Sequence, residues 1–205
     1  MEIIEEVEKL KESDIGKTVN CRIREFEKIG KNPDKIFSEL CFCILTANFQ
    51  AEKSIKIQEG IGNGFCELSE SELSAKLGGF GHRFPNMRAR YIFDARKFRE
   101  ELLEKLRKEN DFELREWIVR TIGGIGMKEA SHFLRNIGFK NLSIIDFHII
   151  DLLVREKLID RPKMLNKKKY LDIEEELMKL ASKLGLNLAE LDLYLWYLET
   201  EKVLK

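Results

Sequence analysis

Ile122-Gly-Gly-Ile-Gly-Met-Lys128 is the stretch on which the fold turns. Upstream of it, Asn110 with Glu113 reads as a capping box, opening a helix lined by Leu114, Trp117, Ile118 and Ile122. Downstream, Ala130, Phe133, Leu134 and Ile137 mark the buried face of a second helix over about 128–137, which Gly138 ends. Three glycines within four positions let the chain stop, turn and restart, since glycine opens left-handed dihedrals and carries no Cβ. The restarting helix presents N–H groups without intrahelical partners, a seat for a phosphate. The same pattern also serves as a tight corner between helices, so the turn alone leaves nucleic-acid binding open.

Helical spacing continues in both directions. Ile3, Ile4, Val7 and Leu10 recur every three to four positions, as do Ile23 and Phe26, and then Ile36, Phe37 and Leu40 after the start signal Asn32-Pro33. Ser69 and Glu72 form a capping box with Leu68 and Leu73 as its staple, and Gly78 closes that helix. Met87, Tyr91, Ala95, Phe98 and Leu102 stripe one long helix; others are expected at about 147–157, 167–184 and 188–204. No alternating strand pattern occurs, so the class is all-α. The loops are short: 78–86 (GGFGHRFPN) and 158–166 (LIDRPKMLN), both carrying basic residues.

The 205 residues suffice for one large domain or two small lobes, and 43% hydrophobic residues suffice for a core. A charged content of 35% with only two glutamines leans toward a heat-adapted intracellular protein. The net charge of zero speaks against a uniformly basic nucleic-acid coat protein, though not against a local basic patch. Cys21, Cys41, Cys43 and Cys66 make no zinc or iron–sulfur spacing, and Cys41 and Cys43 read as small core residues. The acidic, amphipathic N-terminus is no signal peptide, and no apolar run reaches membrane-spanning length. A cytoplasmic protein is expected.

Two residues give the turn chemistry. Lys128 stands in the first turn of the second helix, where the positive end of the dipole and neighbouring cations would favour its neutral, nucleophilic amine. Asp146, in Ile144-Ile-Asp-Phe-His148, reads as the N-cap of the following helix; its charge could also stabilise an oxocarbenium-like sugar.

Lysine and aspartate 18 positions apart, the glycine turn, and the run KEASHFLRNIGFKNLSIIDFHI (128–149) resemble the helix–hairpin–helix DNA glycosylase superfamily. Within it, that run together with LDLYLWYLE (191–199), FCILTANFQAEKSIK (42–56) and GHRFPNMRARYI (81–92) resembles the short, all-helical 8-oxoguanine DNA glycosylase/lyases of archaea and some thermophilic bacteria. The iron–sulfur ligands of other branches and the extra β domain of the human-type enzyme are missing.

The resemblance implies two helical lobes around a DNA-binding cleft: a central lobe over 36–136, and a discontinuous one formed by 1–35 and 137–205. Lys128 would be the nucleophile that attacks C1′, displaces the base and forms a Schiff base, with Asp146 as its electrostatic partner across the cleft. Gly123, Gly124 and Gly126 would grip the DNA backbone, and His148 would touch a phosphate or serve structure. Asn48, or else Gln50, would fill the hole left by the flipped nucleotide. Phe84, beside Arg83, would wedge into the stack. Trp196 and the Lys205 carboxylate would read the base, an acceptor being needed for the N7–H that distinguishes 8-oxoguanine from guanine. Arg83, Arg88, Lys128, Arg135, Lys140 and Lys167 to Lys169 are the candidate phosphate contacts. The resemblance further implies double-stranded DNA with 8-oxoguanine or an abasic site as partner, no metal or cofactor, a monomer, and a nucleoid-associated place in a prokaryotic cell. A non-catalytic helix–hairpin–helix module and a glycosylase for another oxidised base are the alternatives.

Overall fold

The structure is a computed structural model that describes residues 2–205. Among them the regular elements are all helical: α1 (Glu2–Lys11), α2 (Asp14–Ile29), α3 (Pro33–Thr46), α4 (Ala51–Ile61), α5 (Gly64–Glu67), α6 (Glu70–Gly79), α7 (Pro85–Ala95), a 3₁₀ turn (Arg96–Phe98), α8 (Arg99–Lys108), α9 (Asp111–Thr121), α10 (Met127–Asn136), α11 (Phe147–Arg155), α12 (Lys167–Leu184) and α13 (Leu188–Thr200). None is long and apolar enough to cross a membrane.

The helix starts follow local chemistry. Asn32 accepts from the N–H groups of Asp34 and Lys35 with Pro33 at the first helical position, and Asn110 accepts from Phe112 and Glu113. Ser69 with Glu72 closes a full capping box, as does Asn187 with Glu190 at the start of α13. The long helix expected from Met87 to Leu102 is instead three pieces, broken at Arg96–Phe98. Tertiary contacts at the break outweigh the continuous apolar stripe: Arg96 Nε donates to the Phe65 carbonyl, and the Phe98 ring meets Trp117 edge-on at 6.5 Å. Met87, the first residue of that stripe, is exposed.

The chain divides into two compact units, the boundary falling inside α10. One unit spans Gly30–Phe133. Its centre is α3, on which every residue from Leu40 to Thr46 is buried, Cys41 and Cys43 among them. Helices α4 and α7 pack against α3, and α6 and α5 against α7. The buried Arg115 of α9 donates to the Ser131 hydroxyl of α10.

The other unit comprises the residues up to Ile29 and Leu134–Lys205. Here α13 packs against α2, α11 and α12, and α1 against α2, α12 and α13. The end of α10 runs so close to α2 that a Cβ on Gly138 (φ +100°) would stand 3.1 Å from the Glu27 Cα. The interior also holds charge. Arg135 pairs with Asp192, with side-chain exposures of 5% and 11%. Its Nε donates to Asn136, and its guanidinium lies 4.9 Å from the Phe26 ring centre. Burial pushes the Asp192 carboxyl up to about 6; the Arg135 charge pulls the other way, and the Asp146 charge adds to the rise.

Arg135→Met is expected to cost about 3–5 kcal/mol near neutral pH, because it strands the Asp192 charge in the interior. The value of about 6 lies above the 3.8 of the free group, so ionising Asp192 opposes folding as pH climbs between those values. The loss in the variant should therefore shrink as pH falls, when Asp192 takes up its proton. Thermal melts at pH 4 and pH 7.5 check this. Equal losses at the two pH values would show that the pair's charge is not what matters.

Candidate functional site

The glycine hairpin joins α9 to α10. Gly124 takes φ +79°, and a Cβ there would lie 2.3 Å from Tyr91 Cδ2 and 3.1 Å from Arg88 Nη1. A Cβ on Gly123 would lie 2.9 Å from Tyr91 Cδ1. The Tyr91 ring thus lies flush against the corner, the packing reason for two adjacent glycines. Gly124→Ala combines a left-handed backbone with this clash. It should lower stability by about 1–3 kcal/mol and DNA affinity by about tenfold or more. Gly79→Ala, with nothing within 4 Å of its Cβ, is the control expected to change neither, read by thermal melts and DNA titration.

Gly126 caps α10, its carbonyl accepting from the Ala130 N–H. Its own N–H donates to Glu129 Oε2 at 3.3 Å, and Glu129 Oε1 stands 3.1 Å from Lys128 Nζ. One carboxylate therefore occupies the helix's anion seat and holds the lysine, whose side chain is 30% exposed. The immediate partner of Lys128 is thus an anion rather than one of the cations expected around it.

In the same unit, Asn48 is exposed and adopts φ +59°, a left-handed conformation that asparagine tolerates better than most residues. Gln50, also exposed, stands at the N-cap of α4 without a side-chain cap bond. Phe84 sits at the N-cap of α7, half-buried, with the Arg83 guanidinium 5.0 Å from its ring. Between these two segments lies His82, buried, its Nε2 3.0 Å from the Leu45 carbonyl and its Nδ1 3.1 Å from the Phe84 N–H. The buried Arg88 donates to the Ala47 carbonyl and lies over the Tyr91 ring at 5.9 Å.

In the other unit, Asp146 caps α11, Oδ1 accepting from the Ile149 N–H at 3.0 Å. Phe147 follows, 66% exposed, its ring 4.1 Å from that of His148. His148 in turn meets the Trp196 ring edge-on at 5.3 Å. The structure thus sets His148, two residues after Asp146, against Trp196. The indole N–H of Trp196 is buried without a hydrogen-bond partner among the described residues. Lys205 is half-buried, four residues beyond Glu201, the residue that caps the end of α13.

Two candidate phosphate contacts are corrected by their burial. Arg135 is spent on Asp192 and Asn136, and Arg88 on the Ala47 carbonyl; neither is a surface cation. Lys140 remains partly exposed but is paired with Glu27 at 2.6 Å. Sequence reasoning missed Tyr91 and Glu129 at the hairpin, His82 as a buried hub, and Asp192 beside Asp146. Glu129 alone carried a readable signal: three residues after Gly126, it holds the place of a capping-box glutamate. Among the described residues, no group of three or more His, Cys, Asp or Glu side chains is placed to hold a metal ion.

A family model described as 8-oxoguanine DNA glycosylase matches residues 19–186. The chain is 48% identical to an 8-oxoguanine DNA glycosylase/AP lyase of Korarchaeum cryptofilum, covering 100% of this chain and 98% of that one. It is 49% identical to the protein of the same name from Methanocaldococcus jannaschii, over the whole of both chains. The crystal structure of the Methanocaldococcus jannaschii 8-oxoguanine glycosylase/lyase in complex with a 15mer DNA containing 8-oxoguanine is similar with a TM-score of 0.96, at 48% identity and full coverage of both chains. The 8-oxoguanine DNA glycosylase of Thermotoga maritima gives a TM-score of 0.93 at 44% identity, covering 100% of this chain and 99% of that one.

Proposed function

The chain belongs to the 8-oxoguanine DNA glycosylase family, and from that premise we propose that it excises 8-oxoguanine with Lys128 as nucleophile and Asp146 as electrostatic partner, then nicks the abasic strand. The observation that carries the assignment is the placement of Lys128: a part-exposed amine in the first turn of α10, two residues after the Gly126 cap.

The Lys128 amine, once deprotonated, forms a bond to C1′ as the glycosidic bond breaks, and the electron pair leaves with the base. The Asp146 carboxylate balances positive charge developing on the sugar. Ring opening gives a Schiff base; loss of a proton from C2′ then expels the 3′ phosphate and breaks the strand. For C1′ to be reached the nucleotide must leave the helix. We assign the vacated space to Asn48, with Gln50 as second candidate, and the wedge to Phe84 beside Arg83. Gly123, Gly124 and Gly126 offer backbone to the DNA, and a phosphate at the Gly126 N–H would take the place Glu129 now holds.

His148 is assigned to hold Trp196, on which the flipped base would stack. Lys205 supplies the remaining pocket contact. The reading has the protein acting as a monomer on double-stranded DNA in the cytoplasm of a prokaryotic cell, at the nucleoid.

The test is release of free base from a duplex with one 8-oxoguanine, beside duplexes carrying an oxidised pyrimidine or no lesion. Excision confined to 8-oxoguanine supports the proposal; binding without release would reduce the protein to a DNA-gripping module. Deleting residues 203–205 should blunt the preference over guanine by about tenfold, a lost hydrogen bond to N7–H, while nicking of a pre-formed abasic site persists.

A further inference from the structure

We infer that His82 is a positioning residue that fastens the Phe84 loop to the Asn48 turn, so that the two strand-penetrating side chains are presented on one frame. This rests on the assignment of Asn48 and Phe84 to DNA penetration given above.

The imidazole is committed on every side. Its Nε2–H donates to the Leu45 carbonyl at 3.0 Å, in the last turn of α3, just ahead of Asn48. Its Nδ1 accepts from the Phe84 N–H at 3.1 Å. Its ring meets Phe49, the residue just after Asn48, with centroids 4.2 Å apart. Both ends of the Asn48 turn are therefore tied to one side chain that also fixes the backbone of Phe84. These two bonds demand a neutral ring protonated on Nε2, because an imidazolium has no lone pair to accept from Phe84. Burial pushes the imidazole below its ordinary value and the Arg88 charge adds to this, while the Leu45 bond opposes it.

A second tie runs in parallel. Arg88, one turn into α7 after Phe84, donates to the Ala47 carbonyl. The segment 82–88 thus grips the segment 45–49 through Leu45, Ala47 and Phe49. A left-handed Asn48 is strained backbone, and such strain persists where the surroundings over-determine it. Two loops moving separately would each lose conformational freedom on entering DNA; a single prefixed frame avoids that loss.

The experiment compares two reactions of the same preparations. One is excision from a duplex carrying 8-oxoguanine with 2-aminopurine as its neighbour, whose emission rises when the stack is opened. The other is nicking of a single-stranded oligonucleotide with an abasic site, which has no stack to penetrate. His82→Ala should slow duplex excision about tenfold or more and diminish the emission rise, with single-strand nicking within about twofold of native. His82→Asn can still accept from Phe84 two residues on but does not reach Leu45; it should show the same duplex-specific loss and guards against misfolding of the alanine variant. A parallel fall in both reactions, or unchanged duplex excision, would overturn the inference. Asn48→Ala and Phe84→Ala, run alongside, separate the premises. If neither slows duplex excision, the penetration assignment fails and this inference with it. If both do while the His82 variants stay native-like, the role of His82 alone is rejected.

Discussion

Lys128→Gln abolishes base release and borohydride trapping, by about 10³-fold or more, while affinity for lesion-bearing duplex stays within about threefold of native. Glutamine keeps much of the lysine's length and polarity but has no amine to attack C1′, so no covalent intermediate forms. Binding is expected to survive because the hairpin offers backbone, and its geometry is set by Tyr91 against Gly123 and Gly124, not by Lys128. Glu129 retains its bond to the Gly126 N–H in the variant, so the start of α10 keeps its cap. Trapping with substantial residual yield would remove Lys128 from the nucleophile's place.

Asp146→Asn should slow single-turnover excision about 10²–10³-fold with little change in melting temperature. An asparagine oxygen can still accept from the Ile149 N–H, so α11 keeps its cap at a cost of a few tenths of a kcal/mol. What disappears is the negative charge. The change also removes a like charge beside Asp192, which should bring the Asp192 carboxyl down from about 6. Stability and rate are thereby separated: a variant that melts like the native protein but excises slowly fits the electrostatic role. Near-native excision would leave Asp146 a cap and nothing more.

Local chemistry makes much of this legible in the sequence itself. Asn32-Pro33, Ser69 with Glu72, and Asn110 announce helix starts because a side chain and a backbone N–H a few residues apart decide them. Asp146 could be read as a cap for the same reason. What stayed hidden depends on partners distant in sequence. The break at Arg96–Phe98 comes from the Phe65 carbonyl, 31 positions away, which no helical period records. Arg88 and Arg135 look like phosphate contacts because arginine normally seeks solvent; here the Ala47 carbonyl and Asp192, each more than 40 positions away, draw them inward. His82 reads as one polar residue in a basic loop, and only the placement of Leu45 and Phe49 turns it into a hub.

The central claim, that the Lys128 amine becomes covalently joined to the sugar, is tested most directly by trapping the native protein. The protein is incubated with a duplex holding a single 8-oxoguanine in the presence of borohydride, digested, and the adducted residue located by peptide mass spectrometry. One reduced adduct is expected, on the peptide containing Lys128 and at its Nζ. An adduct on any other amine, or base release with no trapped species at all, would contradict it.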